Sequence, residues 1–127
     1  MKTTFYRCNT CGNIIVKIAD SGIPVECCGD FMEEITPKVE DLGLEKHVPK
    51  VTRIDSETIE VEVGAVAHPM TPDHYIHFIF IEHAKGGQLV YLHPHEKPAA
   101  RFKCTEKIDA IYEYCNIHGL WKTDIHE

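Results

Sequence analysis

The feature that most constrains this chain is the sorting of its metal-binding side chains into two sets of different chemistry. Four cysteines fall early, as Cys8-Asn9-Thr10-Cys11 and the adjacent pair Cys27-Cys28. The later set is rich in nitrogen and carries one sulfur: His47, then His68 and His74, then Cys115 and His118. Four thiolates fill the coordination sphere of zinc or iron, which suits structure or electron transfer. Several imidazoles with a single thiolate can leave a position open for a small ligand. A closed site and an open site in one chain point to a redox enzyme.

The early cysteines lie in a segment with too little apolar mass for a core, and metal cross-linking is the usual remedy in so short a piece. Residues 1–36 are therefore expected to form a small metal-stapled domain, with Thr36-Pro37-Lys38 as a linker. The rest of the 127-residue chain, 37–127, is long enough for a small β-sandwich. The N-terminus, Met1 to Cys8, lacks the apolar run of a signal peptide, and no stretch approaches a membrane span. A cytoplasmic location is expected. In a reducing compartment six cysteines serve as ligands rather than disulfides, although their even number also fits a disulfide framework. The net charge of −7 argues against nucleic acid and against an anionic membrane surface as partners.

The patterning is mainly β. Residues 13–18 read as a short strand, turned at Asp20-Ser21-Gly22 and returning through Pro24-Val25-Glu26 to the cysteine pair. Phe31 to Ile35 closes the small unit. Thr58 to Val63 alternates cleanly, with Ile59, Val61 and Val63 on one face and Glu60 and Glu62 on the other, and Val51 to Ile54 is its hairpin partner. Tyr75 to Ile81 is almost continuously apolar and reads as a central strand. Gly86-Gly87 is expected to turn the chain into Gln88 to Leu92, and 99–104 and 108–114 supply two more strands. Short strands at regular spacing without a convincing helix indicate an immunoglobulin-like antiparallel β-sandwich.

The ligands have to be chosen, because the chain has nine histidines. His74 and His77 are three apart on an extended segment and face opposite ways, so one metal cannot take both. His74 is the choice, beside the His68 loop. His93 and His95 lie in a stretch rich in Pro, Lys and Glu and read as solvated, as do His83 and His126. His118 is paired with Cys115 across two residues, which favours a metal clamp over a lone polar residue. Cys104 has no such partner and reads as a small buried apolar residue. Adjacent cysteines are unusual in zinc ribbons, so Cys27-Cys28 favours a single iron of rubredoxin type, with a structural zinc knuckle as the competing reading.

Cys8-x2-Cys11 with Cys27-Cys28 resembles the desulforedoxin-like iron module. Glu45-Lys46-His47-Val48-Pro49, His68-Pro69-Met70, His74 and Cys115-Asn116-Ile117-His118-Gly119 resemble the catalytic domain of superoxide reductases. In this order, over essentially the whole chain, they resemble the desulfoferrodoxin family. The resemblance implies two irons. One is an Fe(Cys)4 site held by Cys8, Cys11, Cys27 and Cys28. The other is an Fe(His)4(Cys) site with His47, His68, His74 and His118 equatorial and Cys115 axial. It further implies that Glu45 and Lys46 flank the open iron face. The activity implied is one-electron reduction of superoxide to hydrogen peroxide by a homodimer fed by a rubredoxin-like donor. A blue-copper carrier is disfavoured, because no methionine follows Met70 to act as axial ligand. A non-catalytic iron-binding redox sensor is the alternative.

Overall fold

The computed structural model describes residues 3–39, 47–64 and 68–125. Two compact units meet in sequence between Thr36 and Pro37. There is no helix among the described residues, so none is long and apolar enough to cross a membrane.

The N-terminal unit contains β1 (Phe5–Arg7), β2 (Ile14–Val16), β3 (Glu26–Cys27), β4 (Asp30–Phe31) and β5 (Glu33–Glu34). β1 lies between β2 and β5, while β3 and β4 form a separate hairpin. The expected strand at 13–18 is cut to β2 because the Asp20 turn captures its end. Asp20 Oδ1 accepts from Gly22 N at 2.8 Å and from Lys17 Nζ at 3.1 Å. Phe5, Cys8 and Met32 are the buried apolar residues of this unit among those described. That is too little apolar burial to hold five short strands in place, so the sulfurs must contribute.

The second unit contains β6 (Pro49–Arg53), β7 (Thr58–Val63), β8 (Ile76–His83), β9 (Gly86–Tyr91), β10 (Ala99–Lys103), β11 (Ile108–Cys115) and β12 (Gly119–Asp124). One antiparallel sheet runs β10-β7-β6 and the other β12-β11-β8-β9. This is the immunoglobulin-like sandwich expected from the alternation. Ile59, Val61 and Val63 of β7 form one buried cluster with Ile76, Ile79 and Ile81 of β8 and Ile108, Ile111 and Cys115 of β11. β8 is central, as its apolar run requires.

Three local expectations are corrected. The turn into β9 is made by Ala84-Lys85, and Gly86-Gly87 already belongs to the strand. Gly87 is needed there because the Phe80 ring lies across it, and a Cβ at that position would stand 2.2 Å from Phe80 Cζ. The expected strands end at 114, yet Gly119–Asp124 forms a further one, β12. Lys38 is not a free linker residue: it pairs with Trp121 as a parallel bridge to β12.

Candidate metal centres

The sulfur centre is built from two tight turns. After β1 the chain bends back at Cys8, where Gly12 N donates to Cys8 O and Cys8 N to Asn13 O, both at 2.9 Å. The second turn joins β3 to β4. Cys27 pairs with Asp30, which leaves Cys28-Gly29 as a two-residue connection. Both have positive φ, 55° and 81°, as a type I′ hairpin turn requires. The left-handed backbone at Cys28 explains how neighbouring cysteines can serve one ion: it swings the second sulfur back beside the first. Cys11 Sγ lies 3.6 Å from Cys27 Sγ, and Cys27 Sγ 4.0 Å from Cys28 Sγ. A tetrahedron with metal–sulfur bonds of about 2.3 Å has edges of about 3.8 Å, so these spacings suit a four-thiolate ion. They do not suit disulfides, whose bond is about 2.05 Å, and all six cysteines are free.

The sulfurs differ in acidity. The Cys11 amide, 3.5 Å from Cys8 Sγ, holds the Cys8 thiol down at about 6. Crowding by the Cys11 and Cys8 sulfurs pushes Cys28 up to about 12 and raises Cys27 as well. At neutral pH the metal must therefore displace protons from at least Cys27 and Cys28. Protons compete with metal, so affinity rises with pH. Metal affinity of the N-terminal centre is expected to change by at least about a hundredfold per pH unit near neutrality. Chelator competition at several pH values checks this, and a slope of one decade or less would contradict it.

The second centre gathers residues from three places in the sandwich unit. His47 sits just before β6, His68 and His74 lie in the loop leading to β8, and Cys115 and His118 flank the turn from β11 to β12. One ligand atom from each of these five lies within 4.8 Å of all the others. The imidazoles form a closed ring of edge-on contacts. Centroids are 4.6 Å apart for His47–His68, 4.8 Å for His68–His74, 5.1 Å for His74–His118 and 4.7 Å for His118–His47. Cys115 is fully buried and supplies the fifth donor. Four nitrogens in a ring and one sulfur leave a six-coordinate ion a single vacant position.

Local hydrogen bonds prepare these donors. His68 Nδ1 donates to Pro69 O at 2.7 Å, which leaves the ring's lone pair on Nε2, an atom shut off from water. His118 N donates to Cys115 Sγ at 3.5 Å and stabilises thiolate charge. The turn carrying both residues is a three-residue hairpin, closed by the Cys115–Gly119 pair with Gly119 at φ 85°. Asn116 ties it to the His74 segment. Its Oδ1 accepts from Tyr75 N at 3.0 Å, and its Nδ2 donates to Asp73 O at 2.9 Å. The His68 loop is fixed by Met70, whose carbonyl accepts from His95 N at 2.7 Å.

Of the chosen residues, the structure brings together all four early cysteines in one group and the His/Cys set in another. His77 stays outside, with its ring 4.3 Å from Tyr75, and burial lowers its pKa. His93 and His95 are exposed, and Cys104 is buried in the core cluster. Glu45, Lys46 and His126 lie outside the described residues. Three residues escaped the sequence alone: Asn116 as a tether, Trp121 stacked on His47 at 4.6 Å, and the fully buried Glu113, which lies opposite Trp121 in the strand register. Asn116 was visible only as part of a motif. The other two become legible only once β11 is paired with β12.

Residues 39–124 match the family model described as Desulfoferrodoxin. A curated desulfoferrodoxin from Desulfarculus baarsii is 39% identical over 120 residues, covering 94% of each chain. The crystal structure of the superoxide reductase from Treponema pallidum superposes with a TM-score of 0.82 at 30% identity, covering 97% of this chain and 98% of that one. The one-iron superoxide reductase from Giardia intestinalis gives a TM-score of 0.53 at 28% identity, covering 65% of this chain and 99% of that one.

Proposed function

This chain belongs to the desulfoferrodoxin family, and we infer that it reduces superoxide to hydrogen peroxide at the His/Cys centre. It is a superoxide reductase with two iron sites, one of Fe(Cys)4 and one of Fe(His)4(Cys) type. The observation that carries this reading is the buried ring of four imidazoles with Cys115 as fifth donor. Iron in that centre supplies the single electron which, with two protons, converts superoxide to hydrogen peroxide. The protein's part is to hold neutral imidazoles and one thiolate in place, so that the centre keeps a positive charge despite the acidic chain. We take 1–36 as the Fe(Cys)4 domain and 37–127 as the catalytic domain. When superoxide is added to the ferrous protein, equal amounts of hydrogen peroxide should appear without dioxygen. Half as much peroxide, accompanied by dioxygen, would indicate dismutation instead.

Glu45 and Lys46 act at the vacant position in this proposal, supported by their place beside His47 and by the family resemblance. Lys46 steers the anion in and positions a proton-donating water. Glu45 would offer its carboxylate to that position once product has left. Electrostatic steering can raise association by roughly 10- to 1000-fold, and one lysine accounts for part of that range. Lys46→Ala should slow the second-order reaction and flatten its salt dependence, whereas Glu45→Ala should alter the ferric spectrum and its response to added anions. Superoxide pulses at several ionic strengths test both. Unchanged salt slopes would remove Lys46 from steering, and an unchanged ferric spectrum would remove Glu45 from the metal.

The physiological setting proposed is cytoplasmic detoxification of superoxide, with a rubredoxin-like donor restoring the ferrous state. Free cysteines throughout support a reducing compartment. A homodimer is proposed as well, supported by the apolar side chains that the small N-terminal unit leaves exposed at Ile18, Ile23 and Phe31.

A further inference from the structure

We propose that Lys38 is a positioning residue for the imidazole ring of the His/Cys centre, acting through Trp121. This role rests on the assignment of that centre as the catalytic iron site. In the sequence Lys38 is an ordinary linker lysine. In the fold its backbone is clamped to β12: Lys38 N donates to Leu120 O, and Lys122 N donates to Lys38 O, both at 2.9 Å. The clamp sends its side chain to the turn that carries the ligands. Lys38 Nζ donates to His118 O at 2.9 Å and lies over the Trp121 ring, 5.3 Å from its centroid.

Trp121 in turn stacks on His47, with centroids 4.6 Å apart and planes only 11° from parallel. His47 and His118 are themselves ring neighbours at 4.7 Å. A single ammonium thus restrains two adjacent imidazoles, one through its backbone carbonyl and one through the indole that backs it. Outer partners of this kind set ligand orientation and tune the metal. The ammonium, although on an exposed residue, is also a positive charge held at the His118 carbonyl. It disfavours the more positive, oxidised state, so its removal should lower the reduction potential.

Trp121 is the chain's one tryptophan, so tryptophan emission comes from beside His47. The test is anaerobic Fe(II) titration of full-length wild type, Lys38→Met and Lys38→Arg, followed by Trp121 quenching and by potentiometry of the oxidised centre. Lys38→Met keeps the stem and removes charge and donor. It should weaken Fe(II) binding at this centre about tenfold, the low end for loss of an outer partner, and lower its potential. The Fe(Cys)4 bands should not move. Lys38→Arg should restore both properties, since a guanidinium donates to a carbonyl and stacks on an indole. Wild-type midpoint and potential in Lys38→Met would overturn the role, as would an arginine variant no better than methionine. If wild type itself bound iron only at the sulfurs, with Trp121 emission unmoved, the assignment of the centre would fail first and the role with it.

Discussion

Cys115→Ser is expected to abolish most peroxide production and to remove the sulfur-to-iron charge-transfer band of the oxidised catalytic site. Cys115 is the one soft, electron-donating side chain in its group, at the fully buried end of β11. A serine hydroxyl is a harder, neutral donor that stays protonated, so the centre loses a negative charge and the ligand that favours electron release. Loss of outer partners alone costs about 10- to 100-fold in metal sites, so loss of the sulfur should exceed about 100-fold in rate. Cys104→Ser is the control. Cys104 is buried too, its thiol 3.5 Å from Glu106 O, but it belongs to neither metal group. It should lose some stability and keep its spectrum. A Cys115→Ser protein with normal band and rate would show that the sulfur is not a ligand.

The double variant Cys27→Ser, Cys28→Ser should have the opposite signature. It removes half of the sulfur group and with it the Fe(Cys)4 bands. It should also unfold the N-terminal unit, where Phe5 and Met32 give little apolar burial to fall back on. Amide hydrogen exchange should become fast over residues 5–34 and stay slow through β7, β8 and β11. Superoxide reduction should survive, because the His/Cys group shares no residue with the sulfur group and lies in a unit with its own core. Slow exchange retained at β1 and β5 would mean that the strands hold without metal. Loss of the reaction with the second iron still bound would make the first centre obligatory.

The ligand residues could be chosen from sequence because thiol and imidazole spacing is a local signal. Cys8-x2-Cys11 and Cys115-x2-His118 each fit one tight turn. The sandwich was legible for a similar reason: Ile59, Val61 and Val63 alternate with Glu60 and Glu62, and only a sheet with one wet face satisfies that pattern. What could not be read is what arises between strands. Cys28 in a left-handed conformation, the Phe80 ring over Gly87, Trp121 against His47 and the anchoring of Lys38 to β12 all depend on register. Residue type did not announce them. Asn116 shows the boundary well: its neighbours marked a ligand turn, yet its tether to Asp73 and Tyr75 spans more than 40 positions in the chain.

The most direct measurement is a superoxide pulse delivered to the fully reduced two-iron protein, with the spectra of both sites followed in time. The oxidised Fe(His)4(Cys) band should grow at a rate proportional to superoxide concentration, ahead of any change at Fe(Cys)4, with peroxide released in equal amount. Oxidation of Fe(Cys)4 first, or superoxide disappearing while the His/Cys site stays ferrous, would place the reaction elsewhere.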